Sequence, residues 1–352
     1  MPIHKILYFG FYKPDYGKNR VLIKGFQENG IEVIQCRVSG GRFIQLFKLF
    51  FKYLTMCNKS FDAMVVGFPG QEVMPLARFL TRKPIIFDIL TSHYGGYILD
   101  RQYFNKNSWR AEYYRWIDRF SCRLADLVLL DTNAHINFFV EEFNLPREKF
   151  LRVFVGTDDE IMKPFEVKKD TDRFLVHFHG HFIPLQGVKH IIKAAKFLEK
   201  DDVHFNIIGN GQTFKDDLKL AESLGVGNIN FIGPVSYGEL PLFMAKADIC
   251  LGIFGNSPKA DLVIPNKVYE AMAMGKPIIT ADTPAARELL SDRENVLFCR
   301  KADARDLAEK IRFLKNSPDL GRIIGEGAKK LFKEKLAGGI LASELLKRIN
   351  LK

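Results

Sequence analysis

The sequence predicts an α/β protein made of two Rossmann-like domains, each a parallel sheet with helices on both faces. Three observations carry this. Short buried apolar runs alternate with helix-like patterns along the whole chain, and runs of that kind belong to parallel sheets covered on both sides. The alternation stops at a charged stretch, Lys163–Arg173, and then restarts. The 352 residues, 47% of them hydrophobic, suffice for two domains of ordinary size. The expected boundaries are 1–162 for the first domain and 163–335 for the second, with 336–352 a terminal helix able to cross back to the first. Ligands of such sheets bind beyond the carboxyl ends of the strands.

In the first half, Lys5–Gly10, Ile31–Val38, Ala63–Gly67, Pro84–Asp88 and Leu127–Asp131 read as strands, with helical patterns at Arg20–Asn29 and Trp109–Ala125. In the second half, Phe174–His179, His204–Ile208, Ile229–Gly233, Ile249–Phe254, Pro277–Thr280 and Val296–Cys299 read as strands. Gly187–Lys200 is an amphipathic helix with Val188, Ile191, Ile192, Ala195 and Leu198 on one face.

Ile264–Thr280 is the most informative segment. It reads as a short helix followed by a buried strand. Pro265 suits the first helical position, Gly275 a left-handed cap, and Pro277 forbids continuation. Lys267 falls in the first turn, where the helix dipole disfavours a cation unless an anion also binds there. Glu270 follows three residues later on the same face. A cation and a carboxylate beside an anion-binding helix start suit a sugar nucleotide: the diphosphate at the amides near Asn266, ribose hydroxyls on Glu270. An ordinary surface Lys–Glu pair has the same spacing.

Two glycine-bearing loops follow strands of the second half. Gly180 and Gly187 bracket His181 and Gln186 before the first helix, and Gly209 and Gly211 follow the next strand. Glycine lets backbone approach a ligand. The second loop lacks a third glycine, with Phe214 in its place, and reads more simply as a tight turn. His177, His179 and His181 alternate, so a regular strand puts them on one face. No paired carboxylates complete a metal site, and they are read as cleft-lining or core histidines, with no metal.

The five cysteines, Cys36, Cys57, Cys122, Cys250 and Cys299, show no metal-ligand or disulfide spacing, which predicts reduced thiols and a cytoplasmic setting. No secretory signal opens the chain, and no apolar run of 18 residues exists. The net charge is +11, with ten Lys/Arg against three Asp/Glu in residues 1–60. That favours an anionic surface; no nucleic-acid-binding signature accompanies it. Arg42–Lys59 combines Phe43, Phe47, Phe50 and Leu54 at helical spacing, with Ile44 and Phe51 beside them and Lys48 and Lys52 one turn apart. It carries more large apolar groups than one core stripe needs, and a peripheral contact with the inner face of a membrane is expected.

For an acceptor, the first half offers Tyr12, Asp15, Tyr16 and Gly17 after its first strand, then Asp88 at a strand end with Ser92 and His93 beyond it. Asp88 is also open to a helix-capping role.

Taken in order, Val176–Gly180, Gln186-Gly187, Ile207–Gly211, Val226–Gly233, Glu239–Pro241, Ala247–Leu251, Asn266–Pro277 and Pro284–Leu290 resemble the GT-B fold glycosyltransferases, in particular the retaining family 4 (group 1). The resemblance covers Phe174–Arg312 well. In the first half it is weaker, resting on Ala125–Thr132, Val155–Asp158 and the opening strand and loop. It implies sugar transfer from a nucleotide sugar to an acceptor hydroxyl of a glycan or lipid-linked saccharide. The nucleotide sugar is then a substrate, UDP or GDP type open, with no cofactor. The donor set becomes Gly180, His181, Gln186, Gly187, Gly209, Gly211, Asp261, Asn266, Lys267 and Glu270. Glu270 matches the second glutamate of the family's paired-glutamate motif. The first falls at Leu262, with Asp261 as substitute after a one-residue shift. The family's arginine and lysine fall at His181 and Gln186, leaving Lys267 as the nearest compensating cation. Catalytic candidates are Glu270 and Lys267, with Asp88 or His93 as the base an inverting enzyme would require. A nucleotide-sugar epimerase, another GT-B enzyme, or a non-catalytic binding subunit are the alternatives.

Overall fold

The computed structural model describes residues 3–38, 42–56, 60–169 and 172–350. The chain divides into two compact units. One comprises Met1–Ile98, Gln102–Gly156 and Leu336–Lys352, and the other Leu99–Arg101 and Thr157–Lys335. The division thus falls at Gly156, ahead of the boundary expected at residue 162.

The first unit runs β1 (Lys5–Gly10), α1 (Gly17–Glu28), β2 (Glu32–Arg37), α2 (Arg42–Thr55), β3 (Ala63–Val66), α3 (Met74–Leu80) and β4 (Ile85–Asp88). A π-helical turn (Tyr94–Asp100), α4 (Trp109–Leu124), β5 (Leu127–Leu130), α5 (Asn133–Phe143) and β6 (Phe150–Arg152) complete it. The six strands are all parallel in the order β2-β1-β3-β4-β5-β6. β1, β3, β4 and β5 are buried on both faces, as their unbroken apolar runs dictate. β6 has no such run and was not anticipated.

The second unit runs β7 (Phe174–His179), α6 (Val188–Phe197), β8 (Val203–Ile208), α7 (Phe214–Leu224), β9 (Ile229–Ile232), α8 (Leu240–Lys246) and β10 (Ile249–Leu251). α9 (Asn266–Ala273), β11 (Ile278–Ala281), α10 (Pro284–Arg287), β12 (Leu297–Cys299), α11 (Ala304–Lys315) and α12 (Pro318–Lys335) follow. Its parallel order, β12-β11-β10-β7-β8-β9, reverses direction between β7 and β10. That reversal marks where a doubly wound sheet binds its ligand. Phe178, Phe205, Ile207, Leu251 and Ile279 of the sheet meet Ile191, Ile192 and Ile311 of the helices in one core.

The chain's last helix, α13 (Gly338–Asn350), belongs to the first unit. It packs on α1 at a glycine contact: a Cβ on Gly25 would lie 2.1 Å from the Gly338 carbonyl oxygen. Asn29 Nδ2 donates to the Gly339 carbonyl at 2.8 Å.

Candidate active site

The loops after β7 and β10 meet at the reversal of the second sheet. Phe254 N–H donates to the Gln186 carbonyl, and Gly255 N–H to that of Leu185, both at 3.1 Å. The approach leaves no room for side chains: a Cβ on Gly187 would lie 2.4 Å from the Gly255 nitrogen. The loops after β7 and β8 abut in the same way. Gly209 would place a Cβ 2.0 Å from the Gly180 oxygen, and Gly211 one 2.5 Å from the Phe182 oxygen. Glycine at 209 and 211 is therefore required by the packing of these loops.

α9 enters beside this junction. Its cap is Pro265, one position earlier than expected, in extended conformation and with no side-chain hydrogen bond to the first turn. Its other end follows the sequence. Gly275 has φ +64°, Lys276 N–H donates to the Ala271 carbonyl and Gly275 N–H to that of Met272. These are the paired bonds of a Schellman cap.

Lys267 and Glu270 both turn inward, 5% exposed each. The Lys267 ammonium donates to Gln186 Oε1 and lies 3.7 Å from the centroid of the Phe178 ring. Burial pulls its pKa well below the ordinary lysine range, with Glu270 acting in the opposite direction. Gln186 holds the place where the resembling family carries a lysine. A cation reaches that place here from α9.

Glu270 is the end of a buried chain of hydrogen bonds. His179 Nε2 lies 2.7 Å from Glu270 Oε2, and His177 Nε2 lies 2.8 Å from His179 Nδ1. A carboxylate only accepts, so His179 donates from Nε2, and its Nδ1 then accepts from His177. His177 Nδ1 is left buried with no partner. Burial, with His179 and Lys267 nearby, keeps the His177 imidazolium well below the usual histidine range. The chain holds one carboxylate oxygen of Glu270. This relay was not foreseen; the alternation of His177 and His179 was its signal. His181 does not join them. β7 ends at His179, Gly180 turns at φ +150°, and His181 is exposed.

Asp261 does not stand free in place of the missing glutamate. Both its oxygens pair with Lys301 Nζ, at 2.7 and 2.6 Å. Asn266 opens α9 half-buried.

The acceptor candidates of the first unit fare differently. Asp88 is fully buried, with Lys18 Nζ 3.0 Å from its Oδ1. It is therefore neither an acceptor contact nor an accessible base. Tyr12 is a core residue, edge-on to Tyr8 at 4.6 Å, its hydroxyl 3.1 Å from Gln35 Oε1. Ser92 is buried and accepts from Gly95 N–H at 2.6 Å. His93 is nearly buried, stacked on Tyr97 and 3.4 Å from Glu72. Asp15 and Tyr16 are exposed, and Gly17 begins α1.

Sequence reading missed Asp118, on the buried side of α4. Its oxygens accept from His93 and Tyr94 N–H, at 3.0 and 2.9 Å, and so cap the π-helical turn. Burial raises its pKa to about 6. At the next strand end, Thr132 caps α5 and Asp131 pairs with His135 Nδ1 at 2.7 Å. No helix of the described residues is long and apolar enough to cross a membrane.

Residues 159–331 match the family model for glycosyl transferases group 1. The uncharacterized glycosyltransferase MJ1178 of Methanocaldococcus jannaschii is 29% identical over 164 residues, 45% of this chain and 42% of that protein. The uncharacterized glycosyltransferase MJ1069 of the same organism is 24% identical over 307 residues, 83% of this chain and 73% of that protein. Among solved structures, Anabaena Alr3699/HepE in complex with UDP and glucose aligns with a TM-score of 0.74 at 17% identity, covering 99% of this chain and all of that one. Two six-stranded parallel units and this alignment give the chain the GT-B fold, and its residues 159–331, just under half of it, match the group 1 glycosyl transferases.

Proposed function

We propose that the chain transfers a sugar from a nucleotide diphosphate sugar to the hydroxyl of a glycan or lipid-linked acceptor. The transfer proceeds with retention and without metal or cofactor, in assembly of a polysaccharide, lipopolysaccharide or glycolipid. The arrangement of Lys267, Gln186 and Glu270 at the strand reversal of the second unit carries this reading. The amides at Asn266 and Lys267, with the Lys267 ammonium, take the diphosphate. Glu270 takes the ribose through the acceptor capacity that His179 leaves it. Gly180 and Gly187 keep the backbone close to the donor, and the base lies by Gly209–Gly211. UDP is the first nucleotide to try, since the aligned Anabaena structure holds it.

Retention without a protein base suits the first unit. Asp88 is sealed by Lys18, so the leaving diphosphate takes the acceptor's proton, and catalysis rests on orientation and leaving-group stabilisation. α2 supplies a peripheral contact with the inner membrane face, where a lipid-linked acceptor resides.

The test is nucleotide release from a panel of UDP and GDP sugars with membrane extract as acceptor, alongside thermal shifts with UDP and GDP. A ligand of the native state raises stability by mass action. The expected outcome is stabilisation by one nucleotide, lost in Glu270→Ala, and turnover unaffected by a chelator. No shift with either nucleotide, or an unchanged Glu270→Ala, would overturn the reading. Conversion of donor alone to an isomer would assign an epimerase instead.

A further inference from the structure

In the first unit, β2 lies on one side of β1 while β3 to β6 follow in order on the other. Right-handed crossovers therefore place α2, α3, α4 and α5 together on one face of the sheet and α1 on the opposite face, where α13 joins it. Side-chain bonds tie the first three of these helices edge to edge. Tyr53 of α2 donates to the Leu80 carbonyl at the end of α3, at 3.1 Å. Arg78 of α3 donates to the Leu124 carbonyl at the end of α4, at 3.0 Å.

Each helix turns large apolar groups to solvent. On α2 the inward side takes Leu49, and the exposed stripe is Ile44, Phe47, Phe51 and Leu54. This corrects the expected stripe, since Phe50 is half-buried, and Cys57–Lys59 lie outside the described residues. α3 adds Phe79, at 79% exposure. α4 adds Trp109 at 71%, Tyr113 at 44% and Trp116 at 53%. Trp116 is stiffened by stacking on Phe120 at 5.0 Å and 9°. Scattered single exposed apolar residues are ordinary, but eight large ones on three linked helices mark an interaction surface.

Charge selects the partner. α2, α3 and α4 contain eight Lys and Arg against two carboxylates, Glu112 and Asp118. Asp118 is buried as a backbone cap, and Glu112 pairs with Arg115. Lys48, Lys52, Arg110 and Arg123 are exposed around the aromatics. Tryptophan and tyrosine among basic residues, with phenylalanine and leucine between them, fit the headgroup layer of a bilayer. Protein interfaces are depleted of lysine, whereas α2 exposes both Lys48 and Lys52 beside its apolar stripe.

We propose that this three-helix face, and not α2 alone, docks the protein on the surface of a bilayer containing anionic phospholipid. The proposal deepens the peripheral contact in the functional reading above, but its test needs no nucleotide or acceptor.

The full chain is co-sedimented with vesicles of phosphatidylcholine alone and of phosphatidylcholine mixed with phosphatidylglycerol, at low and high salt. Phe47→Ser with Phe51→Ser, and separately Trp109→Ser with Trp116→Ser, are compared with the parent. Because these side chains are exposed, both variants should unfold at the parent's temperature, and nucleotide binding is measured on the same samples. The expected result is stronger binding to the mixed vesicles, falling with salt. Each pair of substitutions should weaken it at least ~10-fold, since it removes two large apolar side chains from the contact. No binding to mixed vesicles overturns the proposal. Loss in the α2 variant with none in the α4 variant restricts the contact to α2 and overturns the three-helix face. A parent dimer that either variant dissociates assigns the face to a second copy of the chain.

Discussion

At the scale of single residues, Lys267 and Glu270 are an amine and a carboxyl group buried on one helix, and their partners differ: Gln186 for Lys267 and His179 for Glu270. Burial lowers the Lys267 pKa in the fold, whereas an unfolded lysine titrates near ~10.4. Between those values the unfolded chain binds more protons than the folded one, so stability rises with pH across that window. Lys267→Met should therefore stabilise the unliganded protein at neutral pH, by ~1 kcal/mol or more, and the advantage should shrink as pH approaches ~10.4. Thermal unfolding from pH 7 upward measures this, and a constant gap would refute it. A bound diphosphate favours the ammonium form, so nucleotide binding should take up protons, seen calorimetrically in buffers of different ionisation enthalpy. Glu270→Gln keeps an acceptor for His179 but gives up the charge. Hydrogen bonds to charged groups contribute ~1.5–3 kcal/mol, so nucleotide affinity should fall ~10–100-fold with little loss of stability. His179→Phe instead takes a donor from a buried carboxylate. It should reduce both stability, by ~2–3 kcal/mol, and affinity. Equal effects of the two substitutions on melting temperature would argue against the relay.

At the scale of elements, strands were legible wherever both faces are buried, because an unbroken apolar run has few other homes. The chain around α9 was legible for a different reason: proline and glycine restrict backbone angles locally, and Gly275 adopts the φ of +64° its position required. What the sequence did not reveal depends on partners distant along the chain. Asp88 looked available until Lys18, seventy residues earlier, proved to seal it. Tyr12 sits in a polar loop, and only the packed Tyr8 ring shows that it points inward. Asp261 was a candidate until Lys301 closed on it. The two kinds of glycine separate by the same logic. Gly275→Ala meets the flexible Lys329 side chain at 3.3 Å and the Gly325 carbonyl oxygen at an ordinary 3.8 Å, so its penalty should be essentially that of the left-handed backbone, ~1–2 kcal/mol. Gly209→Ala drives a Cβ to within 2.0 Å of the Gly180 carbonyl oxygen, where backbone must move. It should cost roughly 3 kcal/mol or more and weaken nucleotide binding as well, because the displaced loop carries Gly180. Denaturant midpoints of the two variants, with nucleotide titration, decide between them.

At the scale of the whole molecule, the first unit is completed by the far end of the chain. Leu336, Leu341, Leu345 and Leu346 are all buried in it, although the second unit separates them in sequence from everything they pack against. Burial of one leucine is worth ~1.5–3 kcal/mol, so these four supply ~6–12 kcal/mol. A typical domain is stable by only ~5–15 kcal/mol in total. Removing residues 336–352 should thus leave the first unit marginal, while the second, whose core from Val176 to Ile324 contains none of these residues, keeps its own stability. Hydrogen exchange resolves the two, because protection reports each cooperative unit separately. In the truncated chain, amides of α1 and β1 should exchange far faster than in the parent, while those of β7, β8 and α6 stay protected. Uniform loss of protection across both units would mean that they fold as one, and unchanged protection in α1 would mean that the contacts of α13 there contribute little.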